Sequence, residues 1–99
     1  MPFASIPEIL EELKAGKMIV LVDDEDRENE GDLIIPAEKC TPGAINFMIK
    51  FGRGVPFIPT TAQRLSELKV PIMTKQNTAR HGTAMAETVD ALHGTTTGI

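Results

Sequence analysis

The sequence has no tryptophan, no tyrosine and a single cysteine. Bulky packing therefore falls to four Phe and five Met, and the core is expected to be aliphatic. Because Cys40 is alone, an intramolecular disulfide is excluded and a cytoplasmic location is the default expectation. The thiol itself is expected to pack as a small hydrophobe. Excess positive charge is also missing. Ten Lys and Arg against fourteen Asp and Glu leave a net charge of -4, and Lys69, Lys75 and Arg80 are too scattered to form a patch. Nucleic acid is therefore not an expected partner, since phosphate binding needs a basic face. Apolar runs are short, and none approaches the ~20 residues of a membrane span. The start, Met1-Pro2-Phe3-Ala4-Ser5, lacks the basic and apolar regions of a secretory signal. No membrane association is expected.

The 99 residues are 41% apolar and 24% charged, which is ordinary for one soluble domain with a modest core. Ser5 and Glu8 have the spacing of a capping box, and Ile6, Ile9, Leu10 and Leu13 recur at helical spacing. The pattern predicts a helix over Ile6–Ala15, with Gly16 as its stop. Met18-Ile19-Val20-Leu21-Val22 reads as a buried strand, and Leu33-Ile34-Ile35 as a second strand ended by Pro36. Thr41-Pro42 is a cap followed by proline at the first helical position. Ala44, Ile45, Met48 and Ile49 supply that helix's stripe, and Gly52-Arg53-Gly54 its end. The prolines in Val55–Pro59 demote that segment to an edge or irregular piece. Thr60 with Gln63 predicts a further helix through Lys69. Thr74–Gly82 reads as loop and Thr83–Ala91 as a weak strand. This order predicts an α/β fold of layered α+β type, in one domain spanning 1–99.

Between the first two strands, Asp23, Asp24, Glu25, Asp26, Glu28, Glu30 and Asp32 crowd into one short segment with Arg27, Asn29 and Gly31. If the segment were extended, Asp24, Asp26, Glu28, Glu30 and Asp32 would share one face. If it were helical, Asp24, Glu28 and Asp32 would stack and repel. Either state calls for a counter-charge. Carboxylates without a Cys or His pair favour magnesium, calcium or manganese over zinc, and the EF-hand spacing is not met. With Arg27 available for a phosphate, the residues point to a phosphorylated polar substrate held on a divalent ion. A solvated acidic loop fits the composition equally well.

The string Val22-Asp23-Asp24-Glu25-Asp26-Arg27-Glu28-Asn29-Glu30-Gly31-Asp32-Leu33-Ile34 resembles the 3,4-dihydroxy-2-butanone 4-phosphate synthases of riboflavin biosynthesis. Pro36-Ala37-Glu38, Phe51-Gly52-Arg53-Gly54, Asn77-Thr78, Gly82-Thr83 and Gly94-Thr95-Thr96-Thr97-Gly98-Ile99 follow in that family's order and spacing. The resemblance implies a lyase that converts ribulose 5-phosphate to 3,4-dihydroxy-2-butanone 4-phosphate and formate. It implies magnesium, or manganese, as cofactor and a homodimer as the assembly. Glu28 is then the expected metal ligand and also meets substrate. Arg27, Asp32 and Thr97 are expected to bind substrate, and Glu30 and Asp32 to carry the proton transfers.

These roles suit the residue types. A divalent ion stabilises the charge left by removing a proton alpha to a ketone, and carboxylates can take and return protons. Against the family pattern, the chain corresponds to an N-terminal half. A later Arg-Pro-Gly-His segment, with the second metal ligand, and a later catalytic Glu have no counterpart; His81 and His93 do not sit in that motif. Phe57 stands at the family's cysteine position, His81 replaces an aromatic residue, Pro56 and Pro59 interrupt a strand, and Glu87 enters an apolar stretch. A truncated, non-catalytic module that binds a cation or dimerises is therefore a second expectation.

Overall fold

The structure, a computed structural model, describes residues 2–96. It divides into two compact units, Met1–Ile58 and Pro59–Ile99. Helices and a small antiparallel sheet make it α+β, in line with the layered expectation.

In the first unit, α1 (Ile6–Lys14) begins after Ser5 and carries Pro7 in its first turn. The Glu8 carboxylate accepts the Ser5 hydroxyl at 2.7 Å and the Ser5 backbone N–H at 2.8 Å. Those bonds, the hydroxyl's first, hold the Glu8 carboxyl below its ordinary pKa. Because the folded value is the lower one, this contribution is complete above the unfolded-state pKa. It is lost as pH falls through the folded value. Protection of the Ser5 amide, taken relative to its intrinsic exchange rate at each pH, is therefore expected to fall on acidification through that range, and a Glu8→Gln variant to lack that dependence. An NMR pH titration checks both. The helix ends where Gly16 takes a left-handed φ of 80°.

β1 (Ile19–Val22) and β2 (Gly31–Ile34) form an antiparallel hairpin in the register Ile19↔Ile34, Val20↔Leu33, Leu21↔Asp32 and Val22↔Gly31. The second strand thus starts two residues before the predicted Leu33, because the ladder closes on Gly31. Directly opposed residues share a face. Leu33 therefore lies with Val20 on one side, and Asp32 with Leu21 on the other.

Beyond a 3₁₀ turn at Ala37–Lys39, the Thr41 hydroxyl accepts the Ala44 N–H at 3.1 Å and starts α2 (Pro42–Phe47). Its apolar stripe runs on past Phe47, but the winding loosens to a π-helical turn over Met48–Gly52. The Arg53 N–H donates to the Met48 carbonyl at 3.2 Å, and Arg53 itself, not a glycine, takes the left-handed position at φ 58°. Phe47 and Phe51 meet on this stretch with ring centroids 4.8 Å apart.

The expected core does not form. Among the described residues no side chain is buried, and Val20, Leu21 and Val22 of the predicted buried strand are 65%, 49% and 46% exposed. A two-stranded sheet has too little surface over it to shield both faces. Cys40 is a free, half-buried thiol.

The second unit holds α3 (Ala62–Glu67). Its cap is Thr61, whose hydroxyl accepts the Arg64 N–H at 3.2 Å, one residue later than the predicted Thr60. Gln63, expected to complete a box at the helix start, instead donates to Glu67 at 3.3 Å, one turn along. The helix stops short of Lys69, which has φ 57°. The weak strand over Thr83–Ala91 is reduced to one bridge, Ile72↔Ala86, with Met73 N–H on the Met85 carbonyl and Glu87 N–H on the Pro71 carbonyl, each at 2.9 Å. Asn77 holds the preceding loop by donating to the Gly82 and Thr83 carbonyls at 3.0 and 2.9 Å.

Candidate active site

The acidic segment is neither extended nor helical. It is the tip of the β1–β2 hairpin, turned on itself by its own carboxylates. One Asp24 oxygen accepts the Asp26 N–H at 3.1 Å, and the Asp24 carbonyl accepts the Arg27 and Asn29 amides at 3.0 and 3.2 Å. Asn29 sits at φ 53°, a left-handed position that asparagine tolerates well. Short acidic side chains that bond nearby amides compete with both helix and strand, which is why the period-based alternatives fail here.

Asp23 is the centre of the turn. Its two carboxylate oxygens accept the Glu28 N–H at 3.0 Å and the Glu30 N–H at 2.8 Å. Its own N–H donates to the Glu30 carbonyl at 3.2 Å, and Arg27 Nε lies 2.9 Å from its Oδ2. The Glu30 amide first, then the Glu28 amide and Arg27, hold the Asp23 carboxyl below its ordinary value, against the opposing effect of partial burial. Sequence reasoning left Asp23 without a role. Its position as the first acid after the apolar strand run was the available signal.

Arg27, Glu28, Glu30 and Asp32 are thereby brought to one end of the hairpin. Glu28 is half-buried, and Arg27, Glu30 and Asp32 are exposed. Arg27 does not point into open space alone. It spans Asp23 and, with NH1 at 3.4 Å from Oε1, Glu28. Among the described residues, no three His, Cys, Asp or Glu side chains gather closely enough to hold a metal ion. Magnesium does not require that, since one or two carboxylates with water and substrate oxygens complete its shell. Glu28, a hard oxygen donor only partly shielded from solvent, fits such a role. A shallow hollow of about 310 Å³ lined by Gly16, Met18, Ile35, Lys39, Thr41, Ala44 and Phe47 contains none of the four residues. Thr97 lies outside the described residues. Phe57 is 68% exposed in an irregular segment, and His81 and His93 are exposed.

The comparisons with known proteins decide the family. Its model, described as 3,4-dihydroxy-2-butanone 4-phosphate synthase, matches residues 7–99. The chain belongs to this family. A 3,4-dihydroxy-2-butanone 4-phosphate synthase of Neisseria meningitidis serogroup B is 51% identical over 94 residues, covering 95% of this chain and 26% of the relative. The riboflavin biosynthesis protein RibBA of Aquifex aeolicus is 50% identical over 98% of this chain and 24% of its own length. A crystal structure of a 3,4-dihydroxy-2-butanone 4-phosphate synthase in complex with two magnesium ions aligns with a TM-score of 0.84 at 40% identity. It covers 98% of this chain and 45% of that one. The chain spans about a quarter of the length of the curated relatives it matches. Among the described residues, no helix is long and apolar enough to cross a membrane.

Proposed function

We propose that the chain is part of a synthase domain acting on ribulose 5-phosphate in riboflavin biosynthesis, releasing formate with 3,4-dihydroxy-2-butanone 4-phosphate. The observation that carries the reading is the hairpin tip, which assembles Arg27, Glu28, Glu30 and Asp32 on a backbone shared with the family. Glu28 would hold magnesium, or manganese, and meet the substrate. Bound metal supplies Lewis-acid stabilisation of negative charge on substrate oxygens. Glu30 and Asp32, exposed on the loop and at the start of β2, take and return protons. Arg27, tethered by Asp23, presents its remaining N–H groups to the phosphate, and Thr97 binds substrate. A homodimer is the proposed assembly, supported by the exposed apolar side chains of β1. A cytoplasmic location accords with the unpaired Cys40.

Formate release from ribulose 5-phosphate, measured with magnesium and again after chelation, tests the reading. Magnesium-dependent formate is the expected result. A folded chain that releases none sinks it. That outcome favours a second reading, a cation-binding or dimerising module without turnover, which draws on the exposed apolar side chains of β1.

A further inference from the structure

Seven carboxylates near one hairpin tip repel one another, yet one of them is turned inward. The Asp23 side chain is 21% exposed, less than the 30% of Glu28, while the other five are exposed. Both its oxygens are committed to amides two residues apart, Glu28 at 3.0 Å and Glu30 at 2.8 Å. Its backbone N–H closes on the Glu30 carbonyl at 3.2 Å, so Glu30 is held through both its N–H and its C=O. Arg27 Nε completes the set at 2.9 Å. Asn29, between the two gripped amides, adopts the left-handed φ of 53° that lets both N–H groups turn toward one carboxylate.

From this geometry we infer that Asp23 is a positioning residue, which fixes where the Glu28 and Glu30 carboxylates and the Arg27 guanidinium stand. The inference rests on the proposed roles of those three residues. Asp23 touches neither metal nor substrate; it acts through the backbone that carries the groups that do. Only a short side chain with two acceptor oxygens satisfies all the donors. In Asp23→Asn, one oxygen becomes an NH₂ facing an N–H, so at least one of the bonds to Glu28, Glu30 or Arg27 is lost. Glu25 has no hydrogen bond or ion pair in the same loop, so Glu25→Gln removes a charge without touching the grip.

The test compares the full chain with its Asp23→Asn and Glu25→Gln variants by amide hydrogen exchange and by Mn²⁺ titration followed through water-proton relaxation. In the unaltered chain, the Glu28 and Glu30 amides are expected to exchange at least ~10-fold more slowly than the Glu25 amide. Asp23→Asn is expected to remove that protection while the α1 amides hold theirs, and to weaken Mn²⁺ binding about 10- to 100-fold. Glu25→Gln is expected to change neither. Unprotected Glu28 and Glu30 amides in the unaltered chain overturn the inference without any variant. So does a loss of Mn²⁺ affinity that Glu25→Gln reproduces in full, because charge and not position would then govern. The metal reading fails separately if Glu28→Gln binds Mn²⁺ as tightly as the unaltered chain; the exchange pattern decides the grip of Asp23 in either case.

Discussion

Glu28→Gln is expected to lower magnesium-dependent formate release by at least about 100-fold, more than loss of an outer-shell partner usually costs a metal site. Glutamine keeps the shape and the half-buried placement of the side chain but carries no charge to hold a hard cation. Stability should hardly respond. The nearest partner of the carboxylate is Arg27 at 3.4 Å, whose side chain is 57% exposed, and ion pairs of that kind contribute at most about 1 kcal/mol. Activity and folding are thus separable in this variant. Glu30→Gln and Asp32→Asn give a useful contrast, because a proton-transfer group is worth roughly 10²- to 10⁴-fold in rate and leaves metal affinity in place. Steady-state rates at several magnesium concentrations distinguish the roles. High metal should recover part of the Glu28→Gln loss and none of the Glu30→Gln loss. Retention of full activity by Glu28→Gln would exclude it as the ligand.

Much of the local architecture was legible because it depends on neighbours in sequence. Ser5 with Glu8, and Thr41 with Pro42, start helices where their spacing says they should. The long acidic string by itself carries the resemblance to the family. The turn inside that string was not legible from periodicity. Period-two and period-3.6 patterns describe backbones that bond to themselves, whereas Asp23 and Asp24 bond to amides two to seven residues away. Choosing Thr60 over Thr61 as a cap failed for a related reason. Adjacent threonines carry the same side-chain chemistry, and the backbone alone decides which hydroxyl faces the helix. The missing core has a different origin. Aliphatic content measures how much apolar surface exists, but burial needs a second layer, and the described residues place only a hairpin and short helices together. Of the proposed site, four residues were found on one hairpin end as their order suggested, and Asp23 emerged from hydrogen bonding.

Gly52→Val is expected to destabilise the first unit. Gly52 closes the π-helical turn, and a Cβ built there would lie 3.1 Å from Leu33 Cδ1, tighter than an ordinary carbon contact. Valine adds a branched carbon at the point where the turn meets β2, and Leu33 must leave its position or the turn must withdraw. Because Gly52 is exposed and Leu33 only half-buried, the cost is expected at the low end of that for an overpacked core, about 1 kcal/mol. Gly52→Ala should cost less, since moving the end of the Leu33 side chain by a few tenths of an ångström relieves a single added methyl. Urea denaturation of the two variants beside the unaltered chain measures the difference, and an unchanged midpoint for Gly52→Val would disprove the contact. The consequence reaches the candidate site through one residue of strand. Leu33 follows Asp32 on β2, and the two point to opposite faces. Where the larger valine pushes Leu33 beyond what its side chain alone can absorb, the strand backbone that also carries Asp32 moves with it. At temperatures where the variant stays folded, its kcat for formate release is expected to fall further than its metal affinity, because Asp32 is displaced while Glu28 remains anchored by its own amide to Asp23.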